Sequence, residues 1–460
     1  MDKRNFHDLR TRILEGSIVK TMLWLAWPII LGNLVNMSYN LVDAYWLGKL
    51  GREAFGAPTV SWPLIMFFYA LGMGFSMAGI SLVSQYVGSG DYEKTRKSIG
   101  FLITFMFITA LIISLVGYSI SPYILHLIGV PREVLYHAIE YIRVVFMGIP
   151  FVFLGFAFSF IASGLGDTRT PTYLGIVSSI LNIFLDPIFI FGLNTPILDI
   201  PEMGVVGAAL ATIISRSFVS VAGLYLLVHG FRGIKLRIND LGVEGWWLKK
   251  IIVIGTPLVL QRSANSLGFV VMTSIVSSFG SVAIAAYGVA IRIIDVIQAF
   301  TWGLQRSASI MIGQNIGAEY YERAYIIVKK AILLIIAILT LGSLTIFLIR
   351  DQVIVIFIND PQVVAEGALL LSIFTWSIPF FGVFFIGNGV AAGSGHTLYM
   401  SILGIVRLWL LRIGLSYLLG IVWGYGTLGV WIGMTLSNVI AGVLALFWIL
   451  SGVWAEKVID

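Results

Sequence analysis

The 460-residue chain has no cysteine, which removes disulfides, iron–sulfur clusters and thiolate metal sites from consideration. Histidine is scarce, and five scattered residues make no metal cluster. Charge is the third shortage. Lys, Arg, Asp and Glu together form 11% of the chain, against about 25% in soluble globular proteins. Hydrophobic residues form 58%, more than a water-soluble fold of this length can hide, so the bilayer is the expected solvent. Enzyme signatures are missing too. No Walker A sequence, H-E-x-x-H, nucleophile elbow or paired-glycine nucleotide fingerprint occurs. Catalysis and ATP-driven transport are therefore not expected, and no cofactor is called for. The opening MDKRNFHDLRTRILEG is polar and does not read as a cleavable signal peptide.

What the chain does have is long apolar stretches. Spans are expected near 17–47, 54–86, 98–129, 134–164, 170–195, 203–229, 248–279, 282–313, 328–349, 365–393, 397–422 and 425–453. The fold class is thus an all-α membrane protein of twelve transmembrane helices. Many spans exceed the roughly 20 residues that a bilayer needs, so tilted or bent helices are expected. An even number of spans puts both termini on one side. Loops on that side hold eighteen Lys and Arg residues, whereas the opposite loops hold only Lys49, Arg52, Arg132 and Arg350. Basic residues stay cytoplasmic, so both termini are expected inside a multi-pass cell-membrane protein. The net charge of +6 is accounted for by this topology signal, and nucleic acid is not an expected partner.

The chain is also a duplication. One constant offset brings Pro28 onto Pro257, Asn36 onto Asn265, Gly74 onto Gly303, and Pro150 onto Pro379. SQYVGSGDYE at 84–93 meets GQNIGAEYYE at 313–322, and LGIV at 174–177 meets LGIV at 403–406. The register slips only near the end, where GVVGAALA at 204–211 meets GTLGVWIG at 426–433. Two pseudo-symmetric six-helix bundles follow: an N-terminal lobe at 1–229, a basic cytoplasmic linker at 230–250 and a C-terminal lobe at 251–460. Parallel repeats of this kind suit rocking of two lobes. A channel is not signalled, because nothing indicates a continuous pore or a symmetric assembly, and a monomer is expected.

Ionisable residues inside spans are costly and are functional candidates by default. Asp43, Asp186 and Asp295 are the acids well inside spans. Asn36, Tyr39, Asn40 and Asp43 share one helical face, as do Ser179, Asn182 and Asp186. Pro28 lies lower on the first of these helices, and Pro187 follows Asp186 directly. Each proline removes a backbone hydrogen bond, which makes the first span bendable. Acid, amide and hydroxyl oxygens suit a hard cation, Na⁺ or H⁺, and facing carboxylates would titrate as a pair. Neither acid has an obvious basic partner in the sequence, and their repeat mates Met272 and Leu415 are apolar. This asymmetry points to a specialised N-terminal lobe. Tyr141 and Met147 on the fourth span are candidates to line a cleft, beside an expected Glu140–Arg143 pair. Asp295 has Arg292 three residues earlier. Arg262, Arg306, Arg407 and Arg412 lie near or inside C-terminal spans, where structural pairing or snorkelling is the default reading.

Several segments together carry a family resemblance: WPIILGNLVNMSYNLVDAYWLGKLG, SQYVGSGDYEK with its GQNIGA echo, SGLGDTRTP and NIFLDPIFIFG. The chain resembles the multidrug and toxic compound extrusion (MATE) family over essentially its whole length, and its acid asymmetry is similar to the prokaryotic DinF-like branch. The resemblance implies a secondary antiporter exporting cationic or amphipathic organic compounds in exchange for H⁺ or Na⁺. It implies an ion site at Asp43, Asn182 and Asp186, with Tyr39 and Tyr141 nearby, and a switch by bending at Pro28. Thr212 is the early hydroxyl available on the sixth span, and Gln261 stands near the family's seventh-span acid position. The alternative within the wider superfamily is a lipid-linked precursor flippase or polysaccharide exporter. That reading would need a cationic cavity, for which the C-terminal arginines are the only material.

Overall fold

The computed structural model describes residues 3–194 and 199–459, and the side chains at 3–7, 40, 41 and 52–55 fall outside the described set. The described chain is helical apart from short loops and one two-stranded hairpin. A short α1 (Lys3–Glu15) precedes six long helices: α2 (Ile18–Lys49), α3 (Arg52–Ser89), α4 (Tyr92–Leu127), α5 (Arg132–Gly164), α6 (Arg169–Phe191) and α7 (Gly204–His229). The hairpin pairs β1 (Leu193–Asn194) with β2 (Asp199–Ile200), between α6 and α7. Next come α8 (Gly245–Ser277), α9 (Ser281–Gly317), α10 (Tyr321–Leu348), a short α11 (Arg350–Val355), α12 (Pro361–Phe374) and α13 (Ile378–Ser394). The penultimate span starts as α14 (Leu398–Val406) and continues to Val422 in wider π-helical turns, which flank a four-residue α15 (Gly414–Tyr417). The last is α16 (Gly426–Ser451).

Eleven helical stretches, among the described residues, are long and apolar enough to cross a bilayer. The twelfth span is α8, 33 residues long, whose apolar run is interrupted by Gln261, Arg262 and Asn265. This is the fold of a twelve-helix membrane protein.

Helix ends follow from local chemistry. Gly90 adopts φ 78° after α3, a left-handed geometry open to glycine at little cost. Asp91 then caps α4 by accepting from Lys94 N at 2.9 Å. From α1, Arg10 donates to the last carbonyls of α3, at 3.0 Å to Val87 and 2.7 Å to Gly88. The SGLGDTRTP loop is organised by Asp167, which is almost wholly buried. Its carboxylate accepts from Arg169 N, Thr170 N, Thr170 Oγ1 and Arg232 Nε at 2.6–2.9 Å, which ties the loop to the basic segment after α7.

The chain divides into two compact units. One comprises residues 1–11 and 28–255, the other residues 12–27 and 256–460. The chain passes between them after Thr11, inside α1, at Pro28, inside α2, and just before Pro257, inside α8; the last two points fall at prolines. These two prolines are repeat mates. The division therefore differs from a cut at 229–251: the start of α2 belongs with the second unit, and the basic segment with the first. Trp247 explains the latter, since it is fully buried, donates to Ser98 Oγ at 2.9 Å and packs edge-on against Phe101 and Phe105.

In the first unit α5 is central, against α3, α4 and α7. Glycines let the helices approach closely: a Cβ on Gly72 of α3 would stand 2.7 Å from the Phe153 ring of α5. In the second unit α13 is central, against α9, α10 and α16. Pro150 sits inside one continuous helix, whereas its mate Pro379 opens α13 after a 3₁₀ turn at Thr375–Ser377.

Candidate functional site

The buried face of α6 consists of Pro171, Ser178, Asn182, Asp186 and Ile190. Four-residue spacing places the last four on one stripe. Asn182 Nδ2 donates to Asp186 Oδ1 at 3.0 Å, and Asp186 has no exposed surface. From α2, Asp43 comes within hydrogen-bonding reach of Asp186. Three oxygens in this group are buried without a hydrogen-bond partner: Asp43 Oδ1, Asp186 Oδ2 and Asn182 Oδ1. Such oxygens are costly to leave unsatisfied. They form a donor set suited to a proton or a small monovalent cation. Among the described residues no group of three or more His, Asp or Glu could hold a metal ion.

Beside the acids stands a cluster of which sequence reasoning named Tyr39, Tyr141 and Thr212 but missed Arg216 and Tyr69. Tyr39 of α2, buried like Tyr69 of α3 and Tyr141 of α5, is hydrogen-bonded to Thr212 and to the Arg216 guanidinium of α7. Arg216 also interacts electrostatically with Tyr69, Tyr141 and Asp43. Asp43 therefore does have a basic neighbour, contrary to the sequence reading. The signal was available: Arg216 is a lone arginine inside an apolar span, with no acid within a helical turn to pair with it. Thr212, the early hydroxyl of that span, is one helical turn before it.

Other candidates stand apart. Ser179 donates back to Gly175 O within its own helix. The inward hydroxyl is Ser178, which donates to Ser215 O of α7 at 2.6 Å. Asn36 and Met147 are exposed on the first unit rather than buried with the acids. The side chain of Asn40 lies outside the described residues. Glu140 engages Tyr136 instead of Arg143, and Arg143 lies 5.0 Å over the Tyr118 ring. Pro28 stands about four helical turns before Asp43, where the two units divide.

A duplicated twelve-helix bundle with a buried acid–amide–arginine cluster defines a multi-pass membrane transporter. The particular family follows from comparison. The family model MatE matches residues 28–188 and 257–418, two blocks that open on the repeat mates Pro28 and Pro257, and the chain belongs to this family. Among its relatives, the multidrug export protein MepA of Staphylococcus saprophyticus is 28% identical over 419 residues, spanning 89% of this chain and 90% of that protein. A crystal structure of MATE in the bent conformation is similar, with a TM-score of 0.89, and one in the straight conformation with 0.88. Each is 24% identical and spans 96% of this chain and 97% of the other.

Proposed function

We propose that this chain is a multidrug antiporter that exports cationic or amphipathic organic compounds in exchange for protons. The observation that carries the reading is the Asp43–Asp186 pair with its buried, unpartnered oxygens. Two carboxyl groups in hydrogen-bonding reach hold either a shared proton or a bound cation between them. With both ionised, Arg216 leaves the cluster one negative charge. One proton, or one organic cation, then brings it to neutrality. The oxygens of Asp43, Asn182 and Asp186 also suit Na⁺. The proton is favoured because it needs a single carboxylate oxygen, whereas a metal cation must gather a shell of oxygen ligands from the few that stand free beside the Arg216 guanidinium.

Coupling requires that the two occupants prefer different shapes. The switch element in this reading is α2. Pro28 weakens its ladder at a point where the chain passes from one unit to the other, and MATE structures of the same fold are found in a bent and in a straight conformation. Protonation of the acid pair would favour the shape with less room in the first unit, expelling the drug. By reciprocity, bound drug would weaken proton binding. The remaining elements of the reading are cytoplasmic termini, a monomer and membership in the DinF-like branch, whose acids are likewise confined to the N-terminal lobe.

The test is efflux from proteoliposomes under separately imposed pH and Na⁺ gradients. A pH gradient alone is expected to drive export. Export driven by Na⁺ alone, with no response to pH, refutes the proton.

A further inference from the structure

The acid cluster pairs buried charges inside the spans of the first unit, but a buried group in the second is left unexplained. Arg407 and Arg412 lie well inside the span that begins at Leu398, and each is only 5% exposed. In an α-helix, positions five apart point about 140° away from each other. Here residues 407–413 form a π-helical segment, whose wider turns, closed by i to i+5 hydrogen bonds, bring Arg412 nearer to the side of Arg407. The local backbone thus serves to converge two guanidinium groups.

Both meet one amide oxygen on α16. Arg407 Nη1 and Arg412 Nη2 donate to Asn438 Oδ1 at 3.1 and 2.8 Å, and Arg412 Nε donates to Ser437 Oγ at 3.3 Å. Asn438 is held in turn, its Nδ2 donating to Ser377 Oγ at 3.0 Å. The rings of Phe381 and Phe384 lie 5.4 and 5.0 Å from the Arg407 guanidinium, and Phe374 lies 6.0 Å from that of Arg412. All these partners are neutral. The ion pairs found among the described residues include neither arginine. Glu366 of α12 is turned to Trp431 Nε1 at 2.7 Å. Arg407 Nε is buried with no hydrogen-bond partner.

Structural pairing and snorkelling, the default readings for arginines in spans, therefore both fail here. Among the described residues no carboxylate forms an ion pair with either, and the groups lie mid-span rather than at a helix end. Two like charges sharing one neutral acceptor in a poorly hydrated site repel each other. Bound negative charge removes that cost. Arginine forks present paired donors that match an oxyanion. A carboxylate or a phosphodiester balances one of the two charges, whereas a phosphate monoester balances both.

We propose that Arg407, Arg412, Asn438 and Ser437 form a binding site for a phosphate monoester within the second unit. The proposal does not rest on the antiport reading, since it concerns other helices and is tested by binding.

The experiment uses the full-length protein in an uncharged detergent, with its unfolding temperature followed by tryptophan fluorescence. Probes are glycerol 3-phosphate and dihexanoylphosphatidic acid, against dihexanoylphosphatidylcholine and sodium chloride at matched ionic strength. A ligand that binds the native state raises the unfolding temperature in a concentration-dependent way. At least one monoester is expected to do so where the controls do not. Stabilisation by glycerol 3-phosphate identifies a soluble phosphorylated compound, and stabilisation by the phosphatidic acid alone identifies a lipid headgroup. Arg407→Gln and Arg412→Gln are each expected to weaken the response at least tenfold. Asn438→Asp supplies the anion internally, so it should raise the ligand-free unfolding temperature and abolish the response. Absence of stabilisation by either monoester overturns the proposal, as does an undiminished response in folded variants.

Discussion

Replacing Asp186 with Asn gives the sharpest test of the acid pair. The side chain is fully buried and keeps a neighbour able to accept the substitution, because Asn182 Nδ2 donates to Oδ1 at 3.0 Å. An amide in the same place retains that acceptor while removing one negative charge. The cluster then holds Asp43 against Arg216 and is neutral before any cation arrives. A unit charge about 4 Å away, at the effective dielectric of about 20 that suits protein sites, is worth about 4 kcal/mol. That corresponds to about a thousandfold loss in affinity for the coupling cation, at about 1.4 kcal/mol per factor of ten. Gradient-driven efflux is expected to fall to background. Fold is expected to survive, because one of two adjacent like charges has been removed. The assay is drug efflux from proteoliposomes reconstituted with equal amounts of folded protein, with Asp43→Asn run in parallel. Efflux within tenfold of wild type in both variants would refute the reasoning, since a single acid would then suffice to couple the gradient to export.

Pro28→Ala restores a backbone donor in α2 and is expected to favour its straight form, lowering transport about tenfold with both acids present, as judged by free-energy differences of about 1.4 kcal/mol between shapes. Spin labels on cysteines introduced either side of residue 28, in a chain with no native cysteine, should report a pH- or Na⁺-dependent distance in wild type; a constant distance under all conditions rules the switch out. Arg216→Met removes the fixed positive charge and doubles the negative charge of the ionised cluster, so Na⁺ is expected to bind at least tenfold more tightly, an effect of about 1.4 kcal/mol; unchanged Na⁺ binding by calorimetry contradicts the role given to Arg216. Asp167→Ala leaves Arg232 and two backbone donors unmatched around a buried loop and is expected to destabilise the protein by about 2–4 kcal/mol, measured as a lowered unfolding temperature in detergent; an unchanged temperature rejects the anchoring role.

The amino-acid sequence by itself determined the solvent, the spans and the duplication. Apolar runs must be helical in a bilayer, since every backbone group needs an internal partner there, and a constant offset that carries Pro28 onto Pro257 and Pro150 onto Pro379 can be read without coordinates. It also singled out Asp43, Asn182 and Asp186, because polar groups are conspicuous against apolar surroundings. What it could not determine was which groups on different helices meet. Ser178 and Ser179 both fit the α6 stripe within the width of a helical face, and only the carbonyl of Ser215 on α7 decides between them. Arg216 is separated from Asp186 in sequence by the hairpin and half of α7, yet α7 carries it to Tyr39 and Asp43. The convergence of Arg407 and Arg412 depends on a π-helical segment that a helical-wheel reading, fixed at about 3.6 residues per turn, sends apart. Periodicity fixes a direction around one helix axis. The rotation and depth of each helix against its neighbours are set by side-chain packing across the bundle, and only the tertiary structure decides them.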